Sequence, residues 1–305
     1  MRACFVDAGE GLAAVTERLR RPADMPVTIN RQPDITPDAL PGVLDGHEIA
    51  IVDHTHLPTE IAKRTPSLKH VVFLGTGARS YMDPEELAAA CGVTVHVIKG
   101  YGDTAVAEMA FALMWAAAKG LCRMDRGIRG GAWLRTDGVE LTRKTVGLVG
   151  YGGIAAEMAR LCHGAGMRVV AWNRTAREAP GVEFLELDDL LAASDVVSVH
   201  LLLNDGTRGF LSAERLARMK PGAILVNTAR GAVVDEAAME AAARAGRIRV
   251  ALDVYGTEPL PAGASIAGVE DATLSAHSAF RTPEASDNLI EAALEHCRRI
   301  AREGR

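Results

Sequence analysis

Cysteine is scarce, and what there is stands apart. Cys4, Cys91, Cys122, Cys162 and Cys297 are odd in number, widely spaced and in no CxxC arrangement. That excludes a disulfide framework, gives no zinc pattern, and reads as free thiols in a reducing cytosol. Runs of Lys and Arg are missing as well. The net charge of −5 is spread along the chain, so nothing tracks a phosphate backbone and nucleic acid is not an expected partner. The start, MRACFVDAGEG, has no apolar segment behind a basic end and runs directly into a short strand pattern. The longest apolar stretch, AVAEMAFALMWAAA from Ala105, is interrupted by Glu108 and is too short to span a bilayer. It predicts a buried helix, on which Met114 and Trp115 read as core or subunit interface. The chain reads as a cytoplasmic protein without a membrane partner.

What is present is apolar and rhythmic. With 305 residues, 48% of them hydrophobic and no low-complexity tract, the chain is long enough for two packed domains. ACFVDA, PVTI, EIAIVD, HVVFLG and VTVHVI predict strands of a first parallel sheet. After a long helix beginning near Thr104 come TVGLVG, MRVVAW, DVVSVHLL, GAILVNT, IRVALDV and DATLSA, about six strands of a second sheet. Apolar runs of this kind, alternating with Ala- and Leu-rich helical segments, predict strands covered on both faces, the doubly wound α/β arrangement. The tail RTPEASDNLIEAALEHCRRIAR has helical periodicity, with Pro283 and Glu284 suited to a first turn.

The stretch TVGLVGYGGIA joins a strand to a helix through glycines. Gly150, Gly152 and Ala155 occupy the small positions of G-x-G-x-x-G/A: a tight turn, a close approach of backbone to a pyrophosphate, and close helix packing. The phosphates would sit on free N–H groups at the helix start. An NAD site usually ends the next strand with Asp or Glu for the ribose hydroxyls. This strand ends instead in Asn173, Arg174 and Thr175, which offer neutral and positive donors to a 2′-phosphate. On charge, NADP is favoured over NAD.

Three later segments put polar residues at strand ends, where open α/β sheets bind ligands. Arg230 follows NTA, Glu258 lies five residues after Asp253, and His277 closes the last strand. Arg, His and a carboxylate suit hydride transfer to a 2-keto acid: one clamps the acid, one carries the proton, one holds the imidazole.

With MKPGAILVNTARGAVVDE from Met219, ALDVYGTEP from Ala251, AHSAF from Ala276, VAE at Val106 to Glu108 and the glycine loop, the chain resembles the D-isomer-specific 2-hydroxyacid dehydrogenase family over almost its whole length. The resemblance implies a Rossmann dinucleotide-binding domain over 101–280 and a flavodoxin-like substrate domain over 1–100 plus 281–305, completed by the returning tail. It further implies a homodimer with the active site in the interdomain cleft. Position by position, Arg230 would bind and polarise the substrate, His277 would be the acid–base, and Glu258 would hydrogen-bond His277. Asp253 would hold the nicotinamide carboxamide, and the amides of Thr76 and Gly77 in LGTGA would grip the substrate carboxylate. Gly153, Ile154 and Thr228 are assigned with the other glycines to the cofactor site.

Several positions depart from the family pattern: Ala276 replaces the Pro before the His, Leu202 the Pro of H-x-P-L, Lys99-Gly100-Tyr101 the usual Pro-Gly-Tyr, and GARSYMD the usual Gly-Val-Asp. None removes a reacting group, but all change the walls of the site. A same-fold dehydrogenase of an unusual acid or of an oxyanion such as phosphite, and a dinucleotide-sensing binding protein, are therefore the alternative functions. His54 and His56 share a strand end without a third ligand, so no metal is assigned. Arg79, Lys99 and Arg281 could add positive charge for a second acidic group.

Overall fold

Every strand pairing in both sheets of the computed structural model is parallel; residues 1–303 are described. The first sheet contains β1 (Ala3–Phe5), β2 (Val27–Ile29), β3 (Ile49–Val52), β4 (His70–Phe73) and β5 (Thr94–Val97), in the order β2-β1-β3-β4-β5. This is the flavodoxin-like winding, whose order reverses between β1 and β3. The second holds β6 (Thr145–Val149), β7 (Arg168–Trp172), β8 (Val182–Phe184), β9 (Val196–Val199), β10 (Ala223–Asn227), β11 (Ile248–Leu252) and β12 (Thr273–Leu274). Its order, β12-β11-β10-β9-β6-β7-β8, is the Rossmann winding, with the reversal between β6 and β9.

The winding follows from composition. β3, β6, β9 and β10 are buried at every position, so each needs cover on both faces, and crossover helices provide it. The seventh strand of the second sheet, β8, exceeds the six expected. It is a three-residue edge strand behind Pro180-Gly181, too short for an apolar run to stand out. The expected apolar helix spans Asp103–Lys119 and buries Met114 completely, with Trp115 at its margin. Among the described residues no single helix is long and apolar enough to cross a membrane.

The chain divides into two compact units, Met1–Gly102 with Arg281–Arg305, and Asp103–Phe280. In the first, the helix Pro283–Glu303 supplies Leu289, Ile290, Ala293, Leu294, Cys297 and Ile300 to the core beside Phe5, Ile49 and Val72. Ion pairs at its edge tie it to the N-terminal segment: Arg18 to Asp287, Arg21 to Glu291 at 2.6 Å, and Arg298 to Asp24 at 2.8 Å. All five cysteines are free.

At the outer edge of this unit three imidazoles crowd together. His96 Nε2 lies 3.3 Å from His70 Nδ1, and the His96 and His296 ring centroids are 5.6 Å apart. Burial lowers all three pKa values; for His96, burial, His70, His296 and Arg299 outweigh Glu303 and bring it from 6.5 to about 4. In the unfolded chain these rings take up protons near 6.5, before the folded chain does. The folded state is therefore favoured above that pH, and the advantage is lost as pH falls toward 4. Urea titrations are expected to show the unfolding midpoint dropping between pH 7 and pH 5, less steeply in His96→Gln; equal slopes would refute this origin.

Candidate active site

In the second unit β6 is fully buried, and the chain leaves it at the point where strand order reverses. Gly150 makes that exit with φ +91°, and a Cβ there would come 2.7 Å from the His200 carbonyl oxygen, so only glycine fits. Gly152 then caps the helix Gly153–Gly164 with no side chain, leaving the first-turn N–H groups of Gly153 and Ile154 open. Ala155 is buried against the small residues of the Asp103–Lys119 helix. After β7, Asn173 Oδ1 accepts the Tyr151 N–H at 3.1 Å, and its Nδ2 donates to Thr175 O at 2.9 Å and Thr175 Oγ1 at 3.0 Å. Its amide thus fastens the glycine loop to the β7 turn, and Arg174 and Thr175 are the exposed donors at this strand end.

Two buried polar atoms at neighbouring strand ends have no partner: Thr228 Oγ1 after β10 and His200 Nε2 after β9. Burial holds the His200 imidazole down at about 4, so it is neutral. An uncapped helix start, a glycine surface and unsatisfied hydroxyl and imidazole groups at three adjacent strand ends fit a dinucleotide.

β11 runs into Asp253, which is wholly buried. Its Oδ1 accepts from Ser275 Oγ at 2.6 Å and the Ser278 N–H at 3.0 Å, and its Oδ2 from the Ala279 N–H at 2.9 Å. The His277 N–H adds a bond to the Asp253 carbonyl at 2.8 Å. Together these hold His277 at φ +46°, a left-handed conformation that costs an ordinary residue about 1–2 kcal/mol. So held, His277 Nδ1 is 2.5 Å from Glu258 Oε2, while Glu258 Oε1 accepts the Tyr255 N–H at 2.8 Å. Tyr255 closes the loop by donating its hydroxyl to Ser275 O at 2.7 Å, and burial pushes its pKa up to about 12. The His277 and Glu258 side chains remain 36% and 31% exposed, so this pair is open to a ligand. Both oxygens of Asp253 are engaged by residues 275–279, so this carboxylate positions the loop that carries His277.

Arg230 is displayed by a turn that Asn227 locks, accepting from the Ala229 N–H and donating to Arg230 O, each at 3.0 Å. Gly231 allows that turn to press on the next strand exit, since a Cβ would come 2.0 Å from the Tyr255 carbonyl carbon. Arg230 itself is exposed, its Nη1 donating to Ala229 O at 2.6 Å, and among the described residues no carboxylate pairs with it. His277 and Glu258 are thus brought into contact, whereas Arg230 is bonded to neither.

In the first unit, Thr76 and Gly77 follow β4 through Gly75; Thr76 is exposed, and Gly77 opens a short 3-10 turn. Buried Asp7, just past β1, accepts the N–H groups of Asp53, His54 and Thr55 and the Thr55 hydroxyl, at 2.8–2.9 Å. His54 Nδ1 lies 3.1 Å from Asp53 Oδ2, its pKa raised by Asp53 and Asp7 against the opposing effect of burial. His56 is exposed and packs its ring on Tyr81. Among the described residues no three His, Cys, Asp or Glu are grouped to hold a metal. Arg79 is ion-paired with Glu85, and Lys99 and Arg281 are exposed.

Asp7, His200 and Ser275 were not singled out from sequence. The usable signal was position: each stands within two residues of a strand's carboxyl end, although two-residue β12 was hard to delimit.

A Rossmann sheet with a glycine-lined helix start and an imidazole–carboxylate pair at its strand ends defines a dinucleotide-binding α/β protein. The family model described as D-isomer specific 2-hydroxyacid dehydrogenase, NAD binding domain, matches residues 111–279. A glyoxylate reductase of Korarchaeum cryptofilum is 35% identical over 251 residues, 79% of this chain and 75% of that one. A D-3-phosphoglycerate dehydrogenase of Archaeoglobus fulgidus is 34% identical over 250 residues, 79% of this chain but 47% of that one, so this chain spans about half its length. The crystal structure of the TT0316 protein from Thermus thermophilus superposes with a TM-score of 0.87 at 32% identity, covering 100% of this chain and 98% of that one. The chain belongs to the D-isomer specific 2-hydroxyacid dehydrogenase family.

Asp253→Ala would strip the acceptors from Ser275, Ser278 and Ala279. Chemical denaturation is expected to show a loss of about 2–4 kcal/mol, and turnover should fall with it; unchanged stability would show that the loop does not depend on this carboxylate.

Proposed function

We propose that this protein interconverts a 2-keto acid and the D-2-hydroxy acid, using a nicotinamide dinucleotide. The observation that carries the reading is the 2.5 Å contact of His277 Nδ1 with Glu258 Oε2 on a loop held in a costly conformation. The bound dinucleotide supplies or accepts the hydride at C2. In reduction, Glu258 accepts the hydrogen bond of the Nδ1 proton and orients the ring, so that His277 Nε2 gives a proton to the keto oxygen; in oxidation the ring takes one back. Arg230, exposed and without a carboxylate partner among the described residues, forks onto the substrate carboxylate and draws electron density from the carbonyl. The amides of Thr76 and Gly77 add donors for the same carboxylate, and Gly150, Gly152, Gly153, Ile154 and Thr228 hold the dinucleotide.

NADP is the preferred dinucleotide. No carboxylate stands at 173–175, and the exposed Arg174 and Thr175 can take a 2′-phosphate that an Asp would repel. Family membership and five free cysteines support a cytoplasmic enzyme.

Oxidation of NADPH and NADH should be followed by the loss of reduced-nicotinamide absorbance with 2-keto acids of graded side chain, with phosphite and NAD(P) as the contrasting pair. Turnover of a keto acid, favouring NADPH, is expected, and His277→Ala should lower kcat by about a hundredfold or more. Failure of every keto acid, or full activity in the variant, would sink the reading.

A homodimer is proposed as well. Leu121, Ile128, Trp133 and Leu134 are exposed to 51, 54, 79 and 40% along the helix Leu121–Arg129 and the loop after it, an apolar surface of the kind that subunits cover. Sedimentation should give twice the chain mass, and Trp133→Glu should shift it toward one; a monomeric parent protein would refute this.

A further inference from the structure

Asp103 opens both the second unit and the helix Asp103–Lys119. Its carboxylate lies against the Cα of Gly153: a Cβ on that glycine would come 1.7 Å from Asp103 Oδ2 and 2.7 Å from its Cγ. Gly153 is the first residue of the helix whose N-terminus would carry the dinucleotide diphosphate. Among the described residues no hydrogen-bond donor or cation pairs with the Asp103 side chain. The charged group that acts on it is another carboxylate, Glu157, one turn along the Gly153–Gly164 helix and itself paired with Arg160 at 3.0 Å. Burial first, and Glu157 second, hold the Asp103 carboxyl above its ordinary range.

The arrangement makes physical sense only without the diphosphate. Two helices begin here, and the positive end of each favours a nearby negative charge; in the free protein Asp103 supplies it. A diphosphate brings its own charge to the same helix start, and a neighbouring carboxylate then opposes it. We infer that Asp103 takes up a proton when the dinucleotide binds, so that cofactor affinity rises as pH falls. This rests on the dinucleotide reading above. The proton comes from solvent and neutralises the carboxylate, and no covalent bond of the cofactor changes. The same contact depends on glycine at 153, since any side chain there would turn the carboxylate aside.

Calorimetric titration of the full chain with NADH, which has no 2′-phosphate to titrate, in buffers of differing ionisation enthalpy from mildly acidic to mildly alkaline pH tests this without any turnover. The parent protein should take up protons on binding and D103N should not. D103N should bind about tenfold more tightly at the alkaline end, a factor corresponding to one pKa unit, with the gap closing toward the acidic end. Circular dichroism of the cofactor-free variant checks its fold, and D103A should lose the proton uptake in the same way. Equal proton uptake in parent and D103N overturns the inference, as does weaker binding by D103N at every pH, which would place a stabilising contact at the carboxylate. A parent protein that binds dinucleotide without any proton uptake overturns this inference alone; one that binds neither NADH nor NADPH overturns the function with it.

Discussion

Strands buried on both faces favour apolar side chains along their length, and the chemistry of this chain is arranged by that constraint. The polar groups of the candidate site stand where strands end, and in parallel sheets all the carboxyl ends lie on one edge. The two buried carboxylates make the rule visible. Asp7, just past β1, accepts four hydrogen bonds from residues 53–55 beyond the neighbouring strand β3. Asp253, just past β11, accepts three from residues 275–279 beyond the neighbouring strand β12. Each satisfies its charge with donors from an adjacent loop, and in doing so fixes that loop's shape. A left-handed histidine and a tethered 53–55 turn are products of one device used twice.

The parts of this design that were legible in the sequence are those written in local periodicity. Apolar runs separated by helical segments predicted both parallel sheets, and VGYGGIA identified the strand-to-helix turn because its glycines answer steric demands that can be stated residue by residue. The pairing of Glu258 with His277 was expected from the family likeness, and the contact lies where that likeness put it. His277 and Glu258 are nineteen residues apart in sequence, and nothing in periodicity alone joins them.

What escaped the sequence depended on partners that only folding supplies. Asp253 was legible as a strand-end residue, whereas its three donors come from more than twenty residues downstream. The bond from the Tyr151 N–H to the Asn173 amide joins the ends of the adjacent strands β6 and β7, a contact that no local pattern shows. β8 escaped because three edge residues carry no pattern. Asp103 carries no sequence signal beside Thr104 and Val106, since its significance lies in touching a glycine fifty residues away.

The route of the chain gives the last helix an effect on biosynthesis. Residues 103–280 form a self-contained unit, while the first hundred residues share a hydrophobic core with Leu289, Leu294 and Ile300. On the ribosome the earlier segment therefore emerges first yet closes last, holding an incomplete apolar surface until residues 283–303 have been made. Chaperone demand should concentrate on that interval, and the middle of the polypeptide should mature before its beginning.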